Sequence, residues 1–342
     1  MTDSLGFLGS VASLPEQLAA AHEVTGEAID GVELPDAESI RNIVVLGMGG
    51  SGIAGDVLNA VSSGMLPVPV TVLKQYRTPR FVGPESLVFA LSYSGDTEET
   101  LSMTHGALEA GATVLTVSSG GALAALPSAA HITLPPGYMP RAALGALVAP
   151  LFVTLFKLGL MPEAHALLVR AQEQLAHRRD QCRPEVAGAA NPARELARKI
   201  DRTIPLIYGG GAIGAVAAMR WKCDVNENAK APAFWAAHPE LDHNEIGGFG
   251  QHGDVTRQIF TLVELRHGAE HERLAPRFEL TRGLIEECVS QVISVQAEGE
   301  GRLAQLLDLM YLGDWMSCYL ALANDVDPGP IDAITALKAS LG

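Results

Sequence analysis

The chain has 342 residues, 48% of them hydrophobic and 18% charged, which is enough for two domains of ordinary size with substantial cores. Its net charge of −15, from 24 basic and 39 acidic side chains, argues against a nucleic-acid binder or a peripheral membrane protein, since either needs a basic face. A phosphorylated small substrate stays open, because a helix N-terminus holds phosphate locally without a net positive charge.

Residues 1–35 read as one or two helices on the outside of a first domain. They carry no basic segment followed by a long apolar core, so no signal peptide is expected. The run 43–46, Ile-Val-Val-Leu, reads as a strand that enters Gly47-Met48-Gly49-Gly50-Ser51-Gly52, with a helix over 53–61. Further strands are expected at 68–73, 87–91 and 112–117, with a short one at 131–134. Strands that alternate with helical patterns mean βαβ units and a parallel sheet.

The third strand runs into Ser92-Tyr93-Ser94-Gly95-Asp96-Thr97-Glu98-Glu99, and a helix leaves it over 98–109. Asp96 and Glu99 have the spacing of a capping box, which places the helix start at Asp96. A strand, a turn with three hydroxyls and a helix N-terminus make an anion cradle. First-turn N–H groups lack intrahelical partners and carry the positive end of the dipole, and hydroxyls add donors without adding charge. The plainer reading is an ordinary capped turn, but such a turn does not need Ser92, Ser94 and Thr97 together.

Pro135-Pro136-Gly137 breaks the pattern. Helical regions follow over 142–160 and 162–181. The first is the nearest approach to a membrane span, but it holds Pro150 and Lys157 inside an α/β pattern and reads as a buried helix. The opening layout then returns: a strand at 204–208, a turn at Gly209-Gly210-Gly211 and a helix over 212–224. Strands at 258–265 and 291–296, and helices over 272–289, 302–323 and 331–341, complete an apparent duplication.

Gly47, Gly49 and Gly52 fit the GxGxxG of a dinucleotide fold. That fold places an acidic residue about 20 residues on, for the ribose hydroxyls. No Asp or Glu occurs between Asp56 and Glu85, and only Lys74, as a partner for a 2′-phosphate, keeps a nicotinamide in play. The better reading is that the glycines let backbone N–H groups approach a small ligand, with Ser51 in the same crevice as Ser92 and Ser94. His238, Glu240, Asp242, His243, Glu245 and His252 are dense in potential metal ligands. Their spacing matches neither H-E-x-x-H nor a zinc ribbon, and the four cysteines form no CxxC pair. No metal and no cofactor are expected, and the thiols are read as reduced in a cytoplasmic protein. Glu227, between Asn226 and Asn228, and His243 are candidates for acid and base work, against the bland readings of a surface carboxylate and a loop histidine.

Five stretches occur in order: Gly47-Met48-Gly49-Gly50-Ser51-Gly52, Ser92-Tyr93-Ser94-Gly95-Asp96-Thr97, Pro140-Arg141-Ala142-Ala143, Asn226-Glu227-Asn228-Ala229-Lys230 and His243-Asn244. Together they resemble the bifunctional phosphoglucose/phosphomannose isomerase family over about 40–340. The serine-rich loop alone specifies only a sugar isomerase (SIS) domain. The Asn-Glu-Asn-Ala-Lys and His-Asn segments, taken with Pro-Arg-Ala, are narrower.

The resemblance implies an α/β fold of two tandem SIS domains, each a parallel-sheet αβα sandwich. The expected boundaries are an N-terminal helical segment at 1–35, SIS domain 1 at 36–150, connecting helices at 151–195 and SIS domain 2 at 196–342. It implies interconversion of glucose 6-phosphate and fructose 6-phosphate, and of mannose 6-phosphate, through a cis-enediolate. Ser51, Ser92, Ser94 and Thr97 would hold the phosphate, with Gly49 and Gly50 in the backbone cradle. Glu227 would move the proton, Arg141 would stabilise the enediolate, and His243 and Lys338 would assist ring opening. The partner implied is a second copy, in a homodimer with shared active sites to which the neighbouring subunit supplies His243. One departure is Asp327-Pro328-Gly329-Pro330, where relatives often carry a threonine linked to acceptance of the mannose epimer. The resemblance therefore carries the glucose activity further than the mannose one. A non-catalytic module sensing a sugar phosphate would explain the serine loop but leave Glu227, His243 and Arg141 without a purpose. An amino-sugar phosphate isomerase should bring a glutamine-hydrolysing domain or another base motif, and neither is seen.

Overall fold

The protein is described by a computed structural model covering residues 2–127 and 129–341. It divides into two compact units, Ser13–Glu173 and the rest of the described chain, up to Ala12 and from Gln174. Helix α1 (Phe7–Ala12) belongs to the latter. No described helix is long and apolar enough to cross a membrane.

The unit Ser13–Glu173 runs through α2 (Leu14–Ile29), β1 (Asn42–Leu46), α3 (Gly49–Ser62), β2 (Val70–Leu73), β3 (Ser86–Leu91), α4 (Glu98–Glu109), β4 (Thr113–Ser118), α5 (Gly121–Ala124), β5 (Ala130–Thr133) and α6 (Leu144–Lys157). The five strands pair in parallel in the order β2-β1-β3-β4-β5. Central β3 is buried along its whole length, as expected of a parallel strand covered on both faces. On one face Val44, Leu46, Val88 and Ala90 pack with Met103, Ala107 and Leu123 from α4 and α5. Helix α6 is buried from Leu144 to Leu155 and lies tightly on α2: a Cβ at Gly145 would stand 2.7 Å from the Leu14 carbonyl oxygen. Burial on every side is why α6 is apolar all round without being a membrane segment. Because β2 and β3 lie on opposite sides of β1, the loops after β1 and β3 part at a topological switch point, where open α/β sheets form a crevice.

The other unit contains the end of α7 (Ala164–Cys182), then α8 (Pro192–Ile200), β6 (Ile204–Gly210), α9 (Gly211–Asp224), β7 (Phe234–His238), α10 (Gly253–Ile259), β8 (Phe260–Arg266), α11 (Leu274–Ile285), β9 (Gln291–Gln296), α12 (Arg302–Ala323) and α13 (Asp332–Leu341). Its parallel sheet has the order β7-β6-β8-β9, which repeats β2-β1-β3-β4 of the other unit strand for strand. Helix α12 is buried from Leu306 to Ala321 and forms the centre of this unit. Two buried ion pairs hold it: Arg178 with Asp308, and Arg220 with Asp314.

The structure corrects several readings. Helix α3 begins at Gly49, not near Ile53, so Gly49, Gly50, Ser51 and Gly52 form its first turn. Gln258 and Ile259 close α10, and the strand begins only at Phe260. Helix α8 was not anticipated, although Asn191 caps it by accepting the Arg194 N–H at 3.0 Å and Pro192 opens it. Edge strand β7 was also missed, because Pro232 and Pro239 punctuate its short run as they would a loop.

Candidate active site

At the carboxyl end of β3 the hydroxyls converge. Ser92, 2% exposed, has its Oγ 2.9 Å from Thr97 Oγ1 and 3.5 Å from Ser94 Oγ, and it accepts the Gly95 N–H at 3.1 Å. Ser94 is exposed and accepts the Asp96 N–H at 3.3 Å. Ser92 thus pins the loop from within, while Ser94 presents its hydroxyl outward. Gly95 has φ +82°, and a Cβ there would fall 1.9 Å from the Gly120 carbonyl oxygen, so only glycine fits. The capping-box reading is overturned. Thr97 is the N-cap of α4, and the Asp96 carboxylate turns away to accept the Ala122 N–H of the next loop at 2.8 Å. Glu98 and Glu99 in the first turn of α4 already answer part of its dipole, so an anion here depends on the hydroxyls and N–H groups.

The glycine turn adjoins this loop: a Cβ at Gly47 would meet the Leu91 carbonyl oxygen at 3.1 Å. Gly49 takes φ +50°, and Gly50 packs on the next element, its Cβ position 3.6 Å from Pro140 O and 3.9 Å from Arg141 Cα. Ser51, half-buried, lies on the first turn of α3. Within this unit the structure brings together Ser51, the Ser92–Thr97 loop and the short turn Pro140–Ala142 that carries Arg141. Tyr93 is the residue that sequence reasoning passed over. Its hydroxyl donates to Pro135 O and accepts from Tyr138 N, both at 2.9 Å, tying the serine loop to the segment before Arg141. The signal was there: a bulky aromatic between two serines at a strand end has to pack somewhere. Lys74, the one residue that kept a dinucleotide open, is paired with Asp56, and its stem lies over Gly52.

In the other unit Glu227 sits on a single π turn, Val225–Ala229, that continues α9. Such turns inside helices are rare and recur at functional sites. Lys230 ends the turn in the left-handed conformation at φ +54°. Its ammonium donates to Asn228 O at 3.1 Å and to Asp327 O at 2.7 Å. Glu227, Asn226, Lys230, Asp327 and Pro330 line a cavity of about 320 Å³. Asp327 accepts N–H groups from Ser4 and Gly329, which hold its carboxyl below the usual carboxylate range. Gly329, between Asp327 and Pro330 in the chain, is closely covered: a Cβ there would lie 3.0 Å from Leu5 Cβ, so the N-terminal segment packs where a side chain at 329 would stand.

His243 is exposed, at the end of a short turn, Glu240–His243. Its neighbour Asp242 anchors that turn, accepting from Arg277 Nη1 at 2.5 Å and lying 2.8 Å from His238 Nδ1. Lys338 is on exposed α13. Neither His243 nor Lys338 is among the residues that line the Glu227 cavity. Among the described residues, no group of three or more His, Cys, Asp or Glu could hold a metal ion.

The description "Bacterial phospho-glucose isomerase C-terminal SIS domain" matches residues 189–341. A bifunctional phosphoglucose/phosphomannose isomerase of Caldicellulosiruptor bescii is 37% identical over 97% of this chain and 98% of its own length. Another of that name, from Thermoplasma acidophilum, is 33% identical over 88% and 89%. Among solved structures, the C-terminal domain of glucosamine-fructose-6-phosphate aminotransferase from Francisella tularensis superposes with a TM-score of 0.66. At 15% identity over 94% of this chain and 96% of that one, it shares the fold. Tandem parallel sheets of SIS type and near-full-length identity above 30% place the chain in the bifunctional phosphoglucose/phosphomannose isomerase family.

Proposed function

We propose that this chain interconverts glucose 6-phosphate and fructose 6-phosphate, and mannose 6-phosphate with the same ketose, by proton transfer through a cis-enediolate. The observation that carries the reading is Glu227. It is a half-buried carboxylate on a braced turn at a cavity wall, and no hydrogen bond occupies it among the described residues. An aldose–ketose shift requires that the ring be opened, that a proton leave the carbon beside a carbonyl, and that the resulting negative charge be held. Glu227 takes the proton from C2 and returns it to C1 on the same face, so one carboxylate serves both half-reactions. Arg141 places a guanidinium where charge develops on the two oxygens. His243 and Lys338 serve ring opening, where a proton must leave one sugar oxygen and reach another. Ser51, Ser92, Ser94 and Thr97 grip the phosphate, with Gly49 and Gly50 leaving room for backbone N–H donors. Binding energy spent on that remote group orients the reacting carbons.

We also infer a cytoplasmic homodimer. Exposed Ile334, Leu337 and Leu341 on α13, beside Lys338, and exposed Phe234 and Trp235 on the edge strand β7 support a covered surface.

The test is a coupled assay from fructose 6-phosphate on EDTA-dialysed protein, following glucose 6-phosphate and mannose 6-phosphate separately. Both products are expected from the native chain. Glu227→Gln should cut kcat by about 10³-fold or more with sugar-phosphate binding nearly intact. Persisting turnover would remove Glu227 from the role of base.

A further inference from the structure

The residues on either side of Glu227 are both tied down, and in opposite directions. Asn226 Nδ2 donates to Ala231 O at 2.9 Å, closing the turn on its own chain. Asn228, 1% exposed, donates to Ser317 Oγ at 2.9 Å, and Ser317, fully buried on α12, donates to Asp314 O at 2.9 Å. Helix α12 is in turn locked to α9, which carries the turn. Arg220 Nη2 lies 2.6 Å from Asp314 Oδ1, and Arg220 Nε lies 3.0 Å from Asp224 Oδ2. Trp221 Nε1 donates to Leu309 O at 2.6 Å. A Cβ at Gly313 would stand 2.4 Å from the Trp221 ring, so the two helices have one available register. Asp224, buried beside Asp314, has its carboxyl pushed well above the usual range by burial, while the Arg220 guanidinium beside both acids pulls it back down. A π turn alone is a soft element, one residue longer per turn than an α-helix. Here it hangs from the most continuously buried helix of its unit, and the carboxylate between the two asparagines is anchored through it.

We propose that Asn228 and Ser317 are positioning residues for the Glu227 carboxylate, transmitting the fixed register of α12 to the proton-transferring group without touching substrate. This deepens the functional reading above and rests on Glu227 being the base. A displacement of about 1 Å in a reacting group can cost on the order of a hundredfold in rate.

The experiment compares Asn228→Ala, Ser317→Ala, the double variant and Glu227→Gln in the full chain. It uses glucose 6-phosphate deuterated at C2, and reads kcat, KM, melting temperature and the fraction of deuterium retained at C1 of fructose 6-phosphate. The retained fraction reports only on molecules that turn over, so loss of folded protein does not move it. Each single variant is expected to lower kcat about tenfold or more with KM within twofold, and to retain less deuterium than the native chain. The double variant should be no worse than the poorer single, since either change breaks the same link. The proposal is overturned if kcat stays within twofold in both single variants. It is equally overturned if kcat falls in step with melting temperature while the retained fraction is unchanged. If Asn228→Ala does not fold, Ser317→Ala, which removes one oxygen atom, decides alone. Turnover by Glu227→Gln would sink the reading of Glu227 itself. A dead Glu227→Gln beside native-like Asn228→Ala would sink only the positioning role.

Discussion

The two sheets reach the same topological switch point and furnish it in opposite ways. After β1 and β3 the crevice is edged by glycine and uncharged hydroxyls, with Ser94 exposed. After β6 and β8 the corresponding place is filled by the protein's own charges. Arg266 forks onto Glu270 at 2.7–3.1 Å, and the same carboxylate accepts the His267 backbone N–H at 3.0 Å. The Arg266 guanidinium also lies 4.1 Å from the Phe278 ring centroid. His267 closes the crevice by contacting Gly210 O at 2.8 Å. A resident carboxylate with its own cation and N–H partner therefore occupies, in the second sheet, the place that the first sheet leaves open. Duplicating a fold duplicates the crevice, and the loop residues decide whether it binds or plugs.

The largest effect that would test this contrast is in the open crevice. Ser94→Ala should lower kcat/KM for sugar phosphates roughly 10–100-fold, the range for losing a hydrogen bond to a charged group. An unchanged kcat/KM would place the phosphate elsewhere. In the plugged crevice Glu270→Gln should leave kcat/KM within twofold but cost about 1–3 kcal/mol of stability, because Arg266 keeps its burial and loses its counter-charge. Calorimetry together with the assay reads both. A kinetic loss without a thermal one would mean that the second crevice also handles substrate.

The smallest effect is in pH. Burial lowers the pKa of His238 and of His267, and His238 Nε2 and His267 Nδ1 have no hydrogen-bond partner among the described residues. The folded protein therefore takes up protons on these two rings less readily than the unfolded chain, which does so near pH 6.5. Their contribution to stability is therefore present above about pH 6.5 and is lost as pH falls below it, by at most about 1.4 kcal/mol per pH unit for each ring. A thermal midpoint that is flat from pH 7 to 5.5 in the native chain would contradict this.

Much of the frame was legible because buried parallel strands are apolar runs: β3 and β4 stand within a residue of where their sequence places them. What misled was short-range punctuation with more than one physical meaning. Asp96 and Glu99 have capping-box spacing, yet Asp96 spends its carboxylate on the adjacent loop at Ala122. The glycine motif was legible only in part. Gly209, Gly211 and Gly214 repeat the spacing of Gly47, Gly49 and Gly52, with positive φ at Gly49 and Gly211 alike. In each unit the last glycine lets its helix touch the turn, a Cβ at Gly52 standing 2.6 Å from Gly47 O and one at Gly214 2.9 Å from Gly209 C. The motif thus marks strand-to-helix packing in both halves rather than a dinucleotide. The anchoring of Glu227 was not legible at all, since it depends on Ser317, 89 positions from Asn228.

Helix α1 has a consequence for how the chain is made. Phe7 and Val11 are buried in the unit built around α12, and the Ser4 N–H reaches Asp327 on the wall of the Glu227 cavity. On a ribosome adding about 5–20 residues per second, this segment emerges well before the sheet and helix it belongs to, and must stay unengaged for on the order of 15–60 s. The unit Ser13–Glu173 can close in that interval from contiguous sequence. The half that carries Glu227 can finish only when nearly the whole chain is out, with its opening residues still free to return to it.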